Sequence, residues 1–305
     1  MPIPAYQEVM LPLLQYASER NTVKLREAYK DLAIHFDLTE AERNKLLDSG
    51  RQAVFHNRVG WAKTYLVKAN LLESTRRGLF CITERGLNVL RSNPSHINIH
   101  FLQQFDEFVA FRERGQSQDD SATKTSTQDE QQTPEEIIFN TYKKLRKSLA
   151  DELLEAIVVL HPSKFEILVL DLLLAMGYGS SLDSGEHLGQ ANDGGIDGVV
   201  REDKLGLDNI YIQAKRYQID NHIGRPAIQA FVGSLMGLGA SKGVFMTTSY
   251  FSQQAIDYAK NMNNMKVILI DGQQLATLMI EHNVGVSVKE TYYIKQIDEN
   301  YFPDD

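Results

Sequence analysis

The chain has 305 residues, 43% of them hydrophobic and 24% charged, which excludes disorder throughout and a coiled-coil rod and leaves room for two domains with separate cores. A single cysteine, Cys81, excludes an internal disulfide, and the eight histidines are scattered without zinc spacing. The formal charge of −8 argues at first against a nucleic-acid partner, but residues 1–95 hold 14 basic against 10 acidic side chains, whereas residues 151–305 hold 11 against 21. Attraction to DNA depends on where cations sit, because the field is screened over about 8 Å at physiological salt. The opening Met1-Pro2-Ile3-Pro4 lacks the basic start of a signal peptide, and the apolar stretch from Ile167 to Met176 is broken by Asp171, so a cytoplasmic protein is expected.

Residues 6–95 predict three helices, a further helical stretch and then a ribbon. Leu11, Leu13, Leu14 and Tyr16 mark the first helix; Val23, Leu25, Ala28, Leu32 and Phe36 follow at helical spacing; Thr39-Glu40-Ala41-Glu42 caps a short third helix. A further helical stretch from Asn57 to Ala69 carries an inward stripe of Trp61, Tyr65 and Leu66, leaving Arg58, Lys63 and Lys68 for the outer surface. Leu71-Leu72-Glu73 and Leu79 to Thr83 form a hairpin whose tip holds Arg76 and Arg77. A basic helix followed by a basic-tipped hairpin is the layout of a winged helix (α+β), with helix and wing on DNA, and a small protein-interaction domain is the bland alternative. From Arg112 to Thr133 the residues are Gln, Ser, Thr and Asp with scarcely an apolar one, a flexible linker. Pro134-Glu135-Glu136 then opens an amphipathic helix, so the expected divisions are 1–95, a linker at 96–150, a second domain at 151–290 and a tail at 291–305.

The second domain alternates helix and strand, which predicts an α/β domain with a mixed sheet covered on both faces. Two of its strands carry the chemistry. Gly194-Gly195-Ile196-Asp197-Gly198 precedes Gln213-Ala214-Lys215 by a polar turn through Arg201, Glu202, Asp203, Lys204 and Gly206. Alternate residues share a strand face, so Gln213 and Lys215 point together, with the Ala214 carbonyl between them. With Asp197 on the neighbouring strand, a carboxylate, an amide oxygen, a carbonyl and an ammonium converge, a donor set that suits Mg²⁺. Taken singly, Asp197 reads more readily as a turn residue and Lys215 as a surface lysine, Glu166 nearly as readily as a helix-start carboxylate complementing the dipole, while Asn192 and Asp193 could hold a loop or a metal-bound water.

This arrangement resembles the PD-(D/E)xK nucleases, specifically the Mrr-type restriction endonucleases, whose variant motif carries Gln in place of the usual acid. Phe165-Glu166, Leu173 to Gly179, Asn192 to Gly198, Gln213 to Tyr217 and Gly243 to Ser249 occur in the family's order. The resemblance implies a C-terminal restriction-endonuclease-like domain beside an N-terminal winged helix. It implies Asp197, Gln213 and Lys215 as catalytic residues, and Asp197, Gln213, the Ala214 carbonyl and Glu166 as ligands of Mg²⁺ or Mn²⁺, with no nucleotide. Arg216 and Arg225 are candidates for phosphate contacts beside the site, adding to Arg58, Lys63, Lys68, Arg76 and Arg77. The implied partner is methylated double-stranded DNA cut by a homo-oligomer; a DNA-binding regulator and a repair nuclease are the competing readings.

Overall fold

The computed structural model describes residues 2–76, 78–114, 131–179, 185–187, 195–202, 207–262, 264–295, 297 and 301. The chain divides into two compact units, residues 1–142 with 295–305, and residues 143–294.

In the first unit α1 (Tyr6–Ser18) buries Tyr6, Val9, Met10, Leu13, Leu14 and Ala17, the one-sided pattern of an amphipathic helix. There follow β1 (Val23–Lys24), α2 (Leu25–His35), α3 (Glu40–Asn44), α4 (Val54–Lys68), β2 (Leu72–Arg76), β3 (Leu79–Ile82), α5 (Glu84–Arg91), α6 (Ile99–Leu102) and α7 (Asp106–Arg114). Val23, expected at the start of a helix, instead pairs with Phe80 as an edge strand, and the order β1-β3-β2 completes the small antiparallel sheet of a winged helix. The Leu25 amide donates to the Gly78 carbonyl at 2.8 Å, so the helix begins only where this sheet bond ends. Thr39 caps α3 as expected, accepting from the Glu42 amide while the Glu42 carboxylate returns to the Thr39 amide at 2.8 Å. The unit extends past the expected boundary at 95, because Ile97, Ile99, Leu102 and Phe108 complete the core beneath α1 and α4.

The next helix, α8 (Pro134–Val158), runs without a break at Asp151, and the division between units falls within it. Its start belongs to the first unit: Thr133 is fully buried, donates its hydroxyl to Asn57 Oδ1 at 2.7 Å and receives the Glu136 carboxylate on its amide at 2.9 Å. Thr133 is therefore packed structure, while residues 115–130 of the expected linker lie outside the described residues.

The second unit contains α9 (Pro162–Ala175), β4 (Gly185–His187), β5 (Gly198–Arg201), β6 (Asn209–Lys215), α10 (Arg225–Gly237), β7 (Lys242–Thr247), α11 (Gln253–Lys260), β8 (Lys266–Ile270) and α12 (Gly272–Glu281). The sheet order is β4-β5-β6-β7-β8, antiparallel through β6 and parallel from β6 to β8, where α10 and α11 make the crossovers. One face packs on residues of α8, α9 and α12, including Leu154, Phe165, Val169 and Leu275; the other packs on Ile228, Phe231 and Leu235 of α10 and Ala255 of α11. This is the mixed, doubly covered sheet that the alternation of elements predicts. No helix among the described residues is long and apolar enough to cross a membrane.

Candidate active site

The site forms where β5 begins and β6 ends. Gly198 pairs with Ile212, so Asp197, one residue ahead of β5, comes opposite the end of β6. Ile196 packs with the α10 and α11 core and Val200 with the other, although strict alternation would put both on one face. The backbone thus turns over just before the strand, beside Gly195 at φ +91°. Two bonds secure Asp197 there: its amide donates to the Ile212 carbonyl at 2.8 Å, and its Oδ2 accepts from the Ala214 amide at 2.7 Å. The amide and carbonyl of one strand residue face the same side, so the Ala214 carbonyl is directed to the flank that holds Asp197.

Ala214 turns its methyl into the α9 side of the sheet, which sends Gln213 and Lys215 to the opposite face. Gln213 is 7% exposed, and its Oε1 is buried with no hydrogen-bond donor among the described residues. A buried amide oxygen left without a donor costs about 1–3 kcal/mol, so such an atom calls for a partner. Gly195 lies against the same amide: a Cβ built there would sit 2.6 Å from Gln213 Nε2. The carboxylate, the donor-free amide oxygen and the adjacent carbonyl form an oxygen-only set that fits a hard divalent cation. Among the described residues no three His, Cys, Asp or Glu side chains gather to hold a metal, so the fit rests on mixed oxygen donors.

Lys215 is half-buried at the last position of β6, and its carbonyl accepts the Thr247 hydroxyl at 2.7 Å. Glu166 is half-buried in the second turn of α9, whose first turn has no acidic residue, so the helix-dipole reading of this carboxylate loses its ground. Asn192, Asp193 and Gly194 lie outside the described residues, as do Arg77 at the hairpin tip and Asp203, Lys204 and Gly206 of the turn.

The structure corrects several expected phosphate contacts. Arg58 is only 18% exposed in its side chain: Nη2 meets Glu136 at 2.8 Å, and Nη1 donates to the carbonyls of Ile3 at 2.6 Å and Pro4 at 3.0 Å. Trp61 Nε1 donates to Glu135 at 2.6 Å, and Tyr65 meets Phe108 and Phe111 edge to face. Arg58, Trp61 and Tyr65 therefore form one stripe of α4, covered by α7 and the start of α8. Lys63 is half-buried with its ammonium 5.7 Å from the Phe80 ring, and burial lowers its pKa. Arg216 donates Nη1 to the last carbonyl of α8, at Val158, and its Nε is buried, so the guanidinium complements a helix C-terminus. Lys68, Arg76 and Arg225 are exposed; Lys68 lies 5.2 Å from the Phe111 ring and Arg225 5.0 Å from that of Tyr258.

From the sequence, Thr247, Thr248 and Ser249 close a segment that occurs in the family's order, with no role for their hydroxyls. They are 0%, 1% and 4% exposed, and their hydroxyls bind the last carbonyl of β6 and the backbone that follows it. The signal in the sequence was three consecutive hydroxyl residues closing an apolar strand, where burial obliges each to find a partner.

Comparison with known proteins gives consistent matches. Residues 157–279 match a family model described as restriction endonuclease, the Mrr catalytic domain, and residues 6–92 match the Mrr N-terminal domain. The type IV methyl-directed restriction enzyme EcoKMrr of Escherichia coli strain K12 is 37% identical over 314 aligned positions, covering 99% of this chain and all of the relative. Among solved structures, the restriction endonuclease MspJI bound to a 27-mer oligonucleotide aligns with 54% of this chain and 37% of its own, at 22% identity and a TM-score of 0.29. The DNA modification-dependent restriction endonuclease AspBHI aligns with 71% of this chain and 57% of its own, at 17% identity and a TM-score of 0.38.

Proposed function

The chain belongs to the Mrr family of restriction endonucleases, and from that premise we propose that it hydrolyses phosphodiester bonds of methylated double-stranded DNA in a Mg²⁺-dependent reaction at Asp197, Gln213 and Lys215. The observation that carries this reading is the buried Gln213 Oε1, donor-free among the described residues, beside a carboxylate secured by the Ala214 amide. Asp197, Gln213 and the Ala214 carbonyl would hold the cation, with Glu166 the candidate for a second carboxylate and Mn²⁺ the natural substitute. When bound, the cation supplies Lewis acidity and a more acidic water.

The residues of the chain do the rest. Asp197 supplies the negative charge of the site and is kept in place by its two backbone bonds. Gln213 contributes an oxygen without a charge, so the site carries one negative charge fewer than it would with an acid at that position. The Lys215 ammonium has no ion pair among the described residues; half-buried, it is suited to position the attacking water and to offset charge growing on the phosphate. Of the expected phosphate contacts among the described residues, Lys68 and Arg76 in the first unit and Arg225 in the second are exposed and suited to DNA phosphates. Methylation as the trigger follows the likeness to the methyl-directed Escherichia coli enzyme. One hydrolytic site per chain against two strands of opposite polarity favours a homo-oligomer for double-strand cleavage.

The deciding experiment incubates purified protein with methylated and unmethylated plasmid, with Mg²⁺ or with a chelator, alongside Asp197→Ala and Lys215→Ala. Modification-dependent cutting, abolished by chelation and by either substitution, is expected. Cutting regardless of modification would turn the reading toward a repair nuclease, and no cutting toward a regulator. A fully active Asp197→Ala or Lys215→Ala protein would overturn the site.

A further inference from the structure

We infer that Thr247 is a positioning residue for Lys215, its hydroxyl fixing the lysine's own peptide carbonyl and thereby the direction in which the ammonium leaves the sheet. The inference rests on the catalytic reading of Lys215.

Lys215 is the last residue of β6, and it pairs in register with Thr247, the last residue of β7. At this point the ladder is reduced to one long bond, the Thr248 amide on the Lys215 carbonyl at 3.4 Å, and a side chain with four rotatable bonds inherits any swing of its Cα–Cβ bond. The Thr247 hydroxyl acts at that place: it donates to the Lys215 carbonyl at 2.7 Å and accepts from the Ser249 amide at 3.2 Å, so both of its capacities are in use. Thr247 is 0% exposed, so neither bond is readily exchanged for one to water, and its β-branched side chain holds few rotamers.

The next two hydroxyls continue the attachment. Thr248 Oγ1 donates to the Tyr217 carbonyl at 2.6 Å and accepts from the Tyr217 amide at 2.8 Å. Ser249 Oγ lies 3.1 Å from the Ile219 carbonyl and 2.5 Å from that of Asn221. Three consecutive buried hydroxyls thus secure the chain from Lys215 to Asn221, and among the described residues only Thr247 binds the Lys215 carbonyl through a side chain. Thr248 is an internal comparison, equally buried and equally bonded, two residues further from the chemistry.

The test uses the full chain with Mg²⁺ and its cleavable plasmid, comparing wild type, Thr247→Val, Thr247→Ser and Thr248→Val in single-turnover cleavage, DNA affinity and thermal unfolding. Thr247→Val keeps the shape and removes the hydroxyl, so the rate at saturating enzyme should fall by about 10-fold to 100-fold while DNA affinity stays within about twofold. Thr247→Ser should cleave within about threefold of wild type, and Thr248→Val should shift the unfolding midpoint as Thr247→Val does yet also cleave within about threefold. Wild-type cleavage by Thr247→Val would overturn the inference, as would equal rate losses in Thr247→Val and Thr248→Val, the mark of general loosening. Should Thr247→Val fail to fold, the pair Thr247→Ser and Thr247→Ala differs only in the hydroxyl: Ser faster by about tenfold supports the role, and equal rates reject it. Lys215→Ala separates the two levels. If it is inactive while Thr247→Val is fully active, positioning alone fails; if it cleaves normally, the catalytic reading fails and the inference with it.

Discussion

Replacing Arg58 by Ala separates a DNA contact from a structural tie. The guanidinium makes four bonds, two to Glu136 Oε1 at 2.8 and 3.1 Å and two to the carbonyls of Ile3 and Pro4. With side-chain exposures of 18% and 11%, the Arg58 and Glu136 pair is largely removed from water, so truncating one partner leaves a buried charge and costs about 3–5 kcal/mol. At roughly 2–4 °C per kcal/mol for a domain of this size, the unfolding midpoint of the first unit should drop by about 10 °C. Arg58→Met with Glu136→Leu should recover at least half of that loss, since an apolar pair leaves neither charge stranded. Calorimetry at fixed protein concentration reads the midpoint, and DNA affinity against salt reads any phosphate contact. A midpoint within about 2 °C of wild type, with the logarithmic salt slope reduced by about 0.9, would refute the structural reading and return Arg58 to the DNA surface.

Three further outcomes follow from other parts of the molecule. Gly195→Ala places a Cβ 2.6 Å from Gln213 Nε2 at φ +91°, so single-turnover cleavage should fall at least about tenfold; an unimpaired rate would show that the Gln213 amide need not be held. Burial lowers the pKa of His56, which stacks on Tyr29 at 4.2 Å, below its ordinary 6.5. The unfolded state therefore takes up the proton first, and this contribution to stability is complete above pH 6.5 and lost as pH falls through the folded value. His56→Phe, which keeps a ring against Tyr29, should flatten the midpoint between about pH 7 and pH 5, and an unchanged slope would remove His56 as the cause. Reversing the exposed Lys68 and Arg76 to Glu should weaken DNA binding and lower the salt slope by about 0.9 for each phosphate no longer neutralised, whereas an unaltered slope would move the DNA surface elsewhere.

What could be read from the sequence alone were the features decided by neighbours a few residues away. The Thr39 and Glu42 capping box is one, because its donors and acceptors lie three residues apart. The shared face of Gln213 and Lys215 is another, since alternation along β6 requires it whatever the sheet contains. The order of helices and strands in the second unit follows from the same short-range periodicities, except for the three-residue edge strand β4, which is too short to show one. Features that depend on distant partners were decided only in three dimensions. Val23 became a strand because Phe80 lay across from it, and the arginine expected on the outer face of α4 turned to a glutamate 78 residues later. Local spacing says which residues share a face and not what will cover that face. The same limit applies at the candidate site: the spacing predicts Asp197 beside the end of β6 and Gln213 and Lys215 on one face, but it could not show a donor-free Gln213 oxygen or a Thr247 hydroxyl on the Lys215 carbonyl. Both arise from burial against strands and turns remote in the chain, and burial is what gives an unpaired oxygen or an enclosed hydroxyl its energetic weight.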